Sequence, residues 1–330
     1  VTVVLAIALA TILTYLVEIG LAAQSTPIRG TGALVALLLG LGIVWFDRRR
    51  LTGGLAGAAQ PHVAEPRSIW GEIPHVGPRP RVSVVIPALN EERNLAHVAS
   101  RMPRDVDEIV MVDGDSIDKT VEVARQLWPD AVHIDQTRAG KGNALACGIA
   151  AASGDIIVLI DADGSTDPAE IPRYVAALVG GADYAKGSRF IRGGGSDDIT
   201  AFRRIGNLCL NGVVNLLFSA RFTDLCYGYN AFWRPCLEVM RLPDINAPLP
   251  QRGDGFEVEA LINVRVAASH LTIAEVCSYE KARIHGSSNL RAISDGMRVL
   301  KTICIEFMSA RPAKAPVVVR SPATVGEAAA

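Results

Sequence analysis

The sequence predicts an α/β fold on a mostly parallel sheet with helices on both faces, and three observations lead there. From residue 81 onward, short apolar runs alternate with segments of helical spacing. The most apolar run, Ile156–Ile160, shows no polar alternation, as expected of a strand buried on both faces. Acidic residues and glycines follow directly at the ends of the runs, and in such sheets ligands bind beyond the carboxyl ends of the strands.

Val82–Ile86 reads as the first strand, Glu91–Arg101 as a helix and Glu108–Val112 as the second strand. A helix around Lys119–Leu127, a short strand at Ala131–Ile134, a helix over Asn143–Ala152 and the Ile156–Ile160 strand complete the regular part. After Gly187 the periodicity loosens. Ala201–Ala220 then sets Phe202, Ile205, Leu208, Val213, Leu216 and Leu217 at helical spacing, with Arg203 and Arg204 near its start. That amphipathic helix either lies at a membrane interface or packs on the core.

At 330 residues the chain accommodates one large catalytic domain, expected over 81–310, with accessory segments. Its 33 basic and 34 acidic side chains balance, so no nucleic-acid partner is expected and any phosphate recognition must be local. Six scattered cysteines without a C-x-x-C pair signal neither a zinc site nor a disulfide framework.

Residues 1–50 are expected to be a membrane anchor of two transmembrane helices, about 1–23 and 31–46. Val1–Val17 carries no charge, and a bilayer core asks for about 20 helical residues. Arg48, Arg49 and Arg50 follow the second run and hold that end on the cytoplasmic side. The expected location is therefore the membrane, with the catalytic domain on its cytoplasmic face. A cleaved signal peptide is the competing reading for the first run, against which stands the absence of a basic start. Residues 51–80, rich in Gly, Ala and Pro, read as a linker, and 311–330 as a disordered tail.

The chemistry concentrates at the strand tips. Asp161-Ala162-Asp163 ends the most apolar strand, where two carboxylates one residue apart reach a common point. Mg²⁺ or Mn²⁺ there would bridge Asp161 and Asp163 to a nucleotide diphosphate. A surface turn is the other source of such a pattern. Pro87-Ala88-Leu89-Asn90-Glu91 and Asp113–Thr120 lie on the same sheet edge, and acidic side chains at such tips grip ribose hydroxyls and base edges. Asp113 and Asp115 are candidates, while Asp115 or Ser116 could equally cap the next helix. Lys141, in the Gly140–Gly142 loop before a helix, is a candidate diphosphate contact or else a solvated loop lysine.

Taken in order, these motifs resemble the family 2 glycosyltransferases of the GT-A, Rossmann-like fold, and among them the dolichyl- and polyprenyl-phosphate mannose and glucose synthases. The likeness runs from Arg81 to about Lys301. It rests on P-x-x-N-E at Pro87–Glu91, D-G-x-S-x-D-x-T at Asp113–Thr120, G-K-G at Gly140–Gly142, D-A-D at Asp161–Asp163 and G-S-R at Gly187–Arg189. Arg283–Leu290 is similar to R-x-x-G-x-S-K-L, and Asp224–Phe232 resembles a D-x-x-x-G-[FY] stretch that lines the sugar-acceptor pocket. Leu89, Ser165 and Asn289 depart from an aromatic, a Gln and a Lys in the pattern.

The resemblance implies an inverting, divalent-metal-dependent transfer of a hexose from GDP-mannose or UDP-glucose to a membrane polyprenyl phosphate. Asp163 then serves catalysis, and Arg189 clamps the acceptor phosphate, with Asp224, Arg283, His285 and Ser287 around it. If the acceptor is instead a hydroxyl, a base is required, for which Asp254 and Glu257 are the candidates. A non-catalytic nucleotide-sugar-binding membrane protein is a third reading. The oligomeric state is left open, a homo-oligomer included.

Overall fold

The apolar runs become strands of one sheet. In the computed structural model, which describes residues 69–70, 78–286 and 290–309, β1 (Val82–Ala88) lies between and parallel to β2 (Glu108–Asp113) and β4 (Ile156–Leu159). Val82, Val84, Val85 and Ile86 are wholly buried. Successive side chains point to opposite faces of a sheet, so both faces here are covered. β3 (Val132–Asp135) extends the parallel set beyond β2.

On the other side stand β5 (Tyr184–Ser188), β7 (Asn230–Trp233) and β8 (Ile273–Cys277), giving the order β3-β2-β1-β4-β7-β5-β8. β7 runs antiparallel to both of its neighbours, so the expected mostly parallel sheet holds with one reversed strand. A separate parallel ladder joins β6 (Gly195–Ser196) to β9 (Tyr279–Glu280).

Helices α1 (Leu95–Arg101), α2 (Thr120–Leu127), α3 (Lys141–Ala151) and α4 (Ile171–Val179) alternate with the strands. The most deeply buried of these, α3, packs on β1 and β2. Gly148 permits the approach, since a Cβ there would stand 2.4 Å from Val85 Cγ1. The first helix starts at Leu95 and not at the expected Glu91, because residues 91–94 form a turn whose Glu91 carbonyl accepts the Asn94 and Leu95 N–H groups.

The second half adds α5 (Ala201–Leu217), α6 (Leu237–Met240), α7 (Val258–Ala268) and α8 (Ala292–Ser309). Val214, Leu225, Val264 and Ile303 form a satellite core between α5, α7 and α8. Near the carboxyl ends of α5 and α8, Phe218 and Phe307 meet edge to face, 5.8 Å between centroids.

The expected transmembrane helices and the tail lie outside the described residues, as does most of the expected linker. Within that linker stretch, Ile69 is wholly buried in the main core, and the Ile69 and Trp70 N–H groups donate to the Asp105 carboxylate. Among the described residues, no helix is long and apolar enough to cross a membrane.

Candidate active site

The parallel register sets the tips of β1, β2 and β4 side by side, and their loops are laced together. Asn90 Oδ1 accepts from the Ile117 N–H, and the Asn90 N–H donates to Ser116 Oγ, both at 2.9 Å. The lacing holds Asn90 at φ 58° and Asp115 at φ 71°, left-handed values uncommon for side-chain-bearing residues and concentrated at functional sites. Asp113 Oδ2 accepts the N–H groups of Asp115 and Ser116, each at 3.0 Å, so this carboxylate folds its own loop. Neither Asp115 nor Ser116 caps the following helix; Asp118 Oδ1 takes the Thr120 N–H.

Asp161 and Asp163 sit at the β4 tip with a cationic side chain on each. Lys141 Nζ bridges Asp161 Oδ1 at 2.7 Å and Glu259 Oε1 at 2.8 Å. Arg283 reaches Asp163 Oδ2 with Nη2 at 2.6 Å and Glu91 Oε1 with Nη1 at 3.0 Å. Burial works against the Lys141 charge, but the Asp161 and Glu259 carboxylates outweigh it and hold the ammonium pKa above its ordinary value. Burial raises the Glu91 carboxyl, against the pull of Asn94 and Arg283.

Two open clefts meet at this acidic pair. One, enclosing about 820 Å³ of empty space, is lined by Pro87, Ala88, Leu89, Glu91, Gly114 and Gln136. The other, about 1200 Å³, runs past Arg189, Arg203, Asn207, Tyr227 and Glu259. Lys141, Asp161, Asp163, Phe256 and Arg283 line both, and Ala162 lines the first. The Asp161–Asp163 segment is therefore the junction of the two clefts.

The glycines around Lys141 have a packing reason. The Gly142 and Asn143 N–H groups donate to the Asp254 carbonyl at 2.7 and 3.1 Å. A Cβ on Gly142 would lie 1.7 Å from the Gly253 carbonyl oxygen, and one on Gly140 would lie 2.1 Å from that of Asp254. These two N–H groups are thus consumed within the protein, and Lys141 Nζ is the charged group of the loop at the clefts, the first of which Gly140 also lines. Gly142→Ala is expected to cost about 1–3 kcal/mol through the forced shift and to weaken donor binding by displacing Lys141. Thermal unfolding and donor titration of the variant would check both effects.

Several expected site residues have other duties. Asp254 forms a two-point ion pair with Arg138 (2.8 and 2.9 Å), and desolvation is outweighed by that arginine, which holds the carboxyl below its usual range. Glu257 accepts the Gly253 N–H at 2.9 Å. Neither lines the clefts, so the expected bases are loop braces, and the carboxylate facing the junction is Glu259, two residues on.

Asp224, wholly buried, accepts from Arg189 Nε (2.7 Å) and Nη2 (2.9 Å), from the Arg189 N–H (3.1 Å) and from Asn207 Nδ2 (3.0 Å). It anchors Arg189 rather than contacting an acceptor. Arg189 lines the second cleft, but Glu280 at 2.9 Å also holds it, and its guanidinium carbon lies 4.7 Å from the centre of the Tyr227 ring. Two carboxylates thus neutralise the expected phosphate clamp, while Arg203 and Arg283 stand in the same cleft. The His285 carbonyl accepts from Asn94 Nδ2, and His285 lines neither cleft; Ser287 lies outside the described residues.

Sequence reasoning missed Glu259, Phe256, Gln136 and Asn207. Glu259 had a signal, an acidic residue in the first turn of a helix beside an acidic loop.

The donor set fits Mg²⁺ or Mn²⁺. Among the described residues no group of three or more His, Cys, Asp or Glu converges on one point. Magnesium is commonly held through one or two carboxylates with substrate phosphates completing the shell, and Asp161 and Asp163 supply that pair at a cleft junction. Lys141 and Arg283, already beside them, can follow the negative charge of an arriving diphosphate.

Fold and strand-tip site together define a GT-A-like α/β protein. The sequence profile of "Glycosyl transferase family 2" matches residues 83–237. The polyprenol monophosphomannose synthase of Mycolicibacterium smegmatis is 32% identical over 194 residues, 56% of this chain and 72% of that one. The dolichol-phosphate mannosyltransferase of Pyrococcus furiosus is 30% identical over 220 residues, and the match spans 64% of this chain and only 59% of that relative. Glucosyl-3-phosphoglycerate synthase from Mycobacterium tuberculosis, solved with Mn²⁺, uridine diphosphate and glucosyl-3-phosphoglycerate, superposes with a TM-score of 0.51 at 25% identity, over 69% of this chain and 80% of that one. The chain belongs to glycosyl transferase family 2.

Proposed function

We propose that this glycosyltransferase moves a hexose from a nucleotide diphosphate sugar to a polyprenyl phosphate at the membrane, with its catalytic domain on the cytoplasmic face. The observation that carries the reading is the junction itself, where two clefts share Asp161, Asp163, Lys141 and Arg283. A donor diphosphate lies on the side of Pro87–Glu91 and Gln136, and its hexose reaches past Phe256 toward Glu259 and the acceptor cleft. Mg²⁺ or Mn²⁺, when bound, supplies Lewis-acid stabilisation to the departing diphosphate. Lys141 leaves Asp161 for the diphosphate, adding a preorganised positive charge where negative charge develops.

The bond from the anomeric carbon to the diphosphate breaks as a bond to the acceptor oxygen forms, and a nucleoside diphosphate leaves. A phosphate monoester is already anionic at neutral pH, so the step needs a positioned nucleophile and no strong base. Arg203, paired with Asp198, and Arg283, held by Asp163 and Glu91, are more exposed than Arg189 and would exchange those carboxylates for the acceptor phosphate to position it. A hydroxyl acceptor needs a base, and Asp254 and Glu257 lie away from the clefts while Glu259, which faces the junction, is paired with Lys141.

Support for a lipid acceptor comes from the cleft mouth. Ile199, Phe202, Leu210, Leu290 and Val299 line the cleft itself, and Phe202 and Ile205 on α5 with Ile293 and Met297 on α8 stay exposed. Apolar exposure continuous with a cleft is unusual on a monomer surface and suits an acyl boundary. The dolichol-phosphate and polyprenol synthases named above are relatives, and M. tuberculosis glucosyl-3-phosphoglycerate synthase, with a similar fold, is solved with a soluble phosphorylated product, so acceptor chain length is the discriminating variable.

Phe202→Ser is expected to raise the apparent KM for a long-chain polyprenyl phosphate about tenfold, the worth of one buried aromatic side chain. The KM for a short, water-soluble prenyl phosphate should stay within about twofold. Equal effects on both acceptors would remove the apolar mouth from lipid recognition.

A further inference from the structure

Lys186 sits in the middle of β5 with none of its surface exposed, and it lines neither cleft. A lysine is rarely buried whole, because its ammonium loses hydration that the interior must replace. Here two carbonyls replace it. Nζ donates to the Tyr227 carbonyl at 2.6 Å and to that of Gly187 at 3.1 Å. Asp224 and, from β8, Glu275 pull on the charge, while their own hydrogen bonds come from Arg189, Asn207 and Thr223. An apolar side chain would fill the position without that desolvation, so the charge has a reason beyond packing.

The segment it holds supplies that reason. Cys226, Tyr227 and Gly228 form part of the wall of the second cleft. The centre of the Tyr227 ring lies 4.7 Å from the Arg189 guanidinium carbon, and the Tyr227 hydroxyl meets Ser278 Oγ at 2.9 Å. Gly228 abuts the junction, since a Cβ there would stand 3.0 Å from Lys141 Nζ and 3.2 Å from Glu259 Oε1. Three successive carbonyls are tied back to the sheet, that of Tyr227 by Lys186, that of Gly228 by Asn230 Nδ2 at 3.1 Å and that of Tyr229 by the Gly187 N–H at 2.9 Å. The first of these ties is charged, and charge-assisted hydrogen bonds are the stronger kind.

We propose that Lys186 is a positioning residue for the transfer, whose ammonium fixes the Tyr227–Gly228 wall between Arg189 and the Lys141–Glu259 pair and so sets where the acceptor phosphate meets the hexose. This role rests on the reading of the second cleft as the acceptor side. A rise in pH removes the charge. Burial brings the ammonium down to about 8 from its ordinary 10.5, against Asp224 and Glu275, and Arg189 lowers it further. Other facing groups ionise higher, for burial pushes the Cys226 thiol up to about 12 and holds the Tyr227 hydroxyl well above its ordinary value. Glu259 on α7 acts on Cys226 and is paired with Lys141. The tie is therefore at full strength below about 8 and weakens as pH rises through that value. A depressed ammonium binds fewer protons in the folded chain than in the unfolded one, so across the same window Lys186 makes folding more favourable as pH rises. Transfer lost there is not lost to unfolding at this residue.

The test compares the full chain with Lys186→Gln, which keeps an N–H for the carbonyl and loses the charge, and with Lys186→Met, which loses both. Transfer to a short, water-soluble prenyl phosphate with Mg²⁺ is measured on both sides of the Lys186 transition. Hydrogen exchange, corrected for its intrinsic pH dependence, is followed in peptides covering 224–231. In the parent, kcat/KM for the acceptor is expected to fall about tenfold as pH rises through the transition, the usual worth of a hydrogen bond to a charged group. The donor KM should stay within about twofold. Both variants should hold the lower value throughout, without that fall, and exchange faster in 224–231, Met more than Gln. Should Lys186→Met fail to fold, the parent profile and Lys186→Gln decide.

A parent profile without the alkaline fall, a fall that persists in the variants, or exchange unchanged by them overturns the role. Faster exchange with transfer unaffected makes the tie structural alone and overturns it too, leaving the functional reading standing. Faster exchange in the variants of a parent that transfers to no prenyl phosphate from any donor supports the tie and overturns the lipid-acceptor reading instead.

Discussion

Asp163→Ala is expected to lower hexosyl transfer by roughly 10²–10³-fold, the usual loss when one element stabilising a departing charge is removed. Its side chain does little for the fold, accepting the Ser165 N–H at 2.9 Å and pairing with Arg283 at 2.6 Å. The unfolding midpoint should therefore move only slightly. Two consequences follow from the geometry. The cleft keeps a single carboxylate where a cation and a diphosphate must be held together, and Arg283 loses one of its two anchors, retaining Glu91. Asp163→Asn keeps the shape and removes the charge, so it should fall with the Ala variant if charge is what matters. Steady-state transfer and metal-dependent donor titration read these effects, and turnover within about tenfold of the parent in both variants would refute the role given to this carboxylate.

Asp224→Ala is expected to have the largest effect on stability. Arg189 is 4% exposed at its side chain and Asp224 is fully buried, and three of the four hydrogen bonds reaching that carboxylate come from Arg189. Removing one partner of a buried pair strands the other, which costs about 3–5 kcal/mol. Glu280 remains and moderates the loss. For a domain of this size the unfolding midpoint should drop by roughly 10 °C. The same reasoning changes what Arg189→Ala reports. That substitution leaves Asp224 and Glu280 as unpaired buried carboxylates, so its first effect is on the fold. A midpoint unchanged in Asp224→Ala would return this residue to the acceptor-contacting role its motif suggested.

Much of the fold was legible because β1, β2 and β4 are buried on both faces and their residues are continuously apolar, with acidic tips that mark where ligands bind. β5 escaped notice because its centre holds Lys186, a fully buried lysine whose ammonium donates to the carbonyls of Gly187 and Tyr227. Burial depresses that ammonium's pKa to about 8, against the pull of Asp224 and Glu275. Lysine in a strand interior defeats a pattern based on hydropathy. β7 was hidden inside Asp224–Phe232, which reads as a pocket motif and proves to be part loop and part reversed strand.

The placement of the acidic pair, Lys141 and the Pro87–Glu91 loop at neighbouring strand tips was legible because they follow directly on apolar strands, and the clefts meet where they stand. The duties of Asp254 and Asp224 were not. Arg138 and Asp254 are 116 residues apart and Arg189 and Asp224 are 35 apart, and an isolated carboxylate in a sequence does not say which arginine the fold will bring to it. Glu259 illustrates the same limit in reverse. Two residues separate it from Glu257, yet the turn leading into α7 sends one toward Gly253 and the other to Lys141 at the junction.

The most direct test of the whole account follows the sugar. Purified full chain in vesicles with Mn²⁺ is offered radiolabelled GDP-mannose or UDP-glucose, with polyprenyl phosphate, with 3-phosphoglycerate or with neither. Label that enters organic solvent only when polyprenyl phosphate is present, and that is absent with Asp163→Ala, is the predicted result. Label that stays in water with every donor, or that passes to the soluble phosphorylated acid in preference to the lipid, would contradict it.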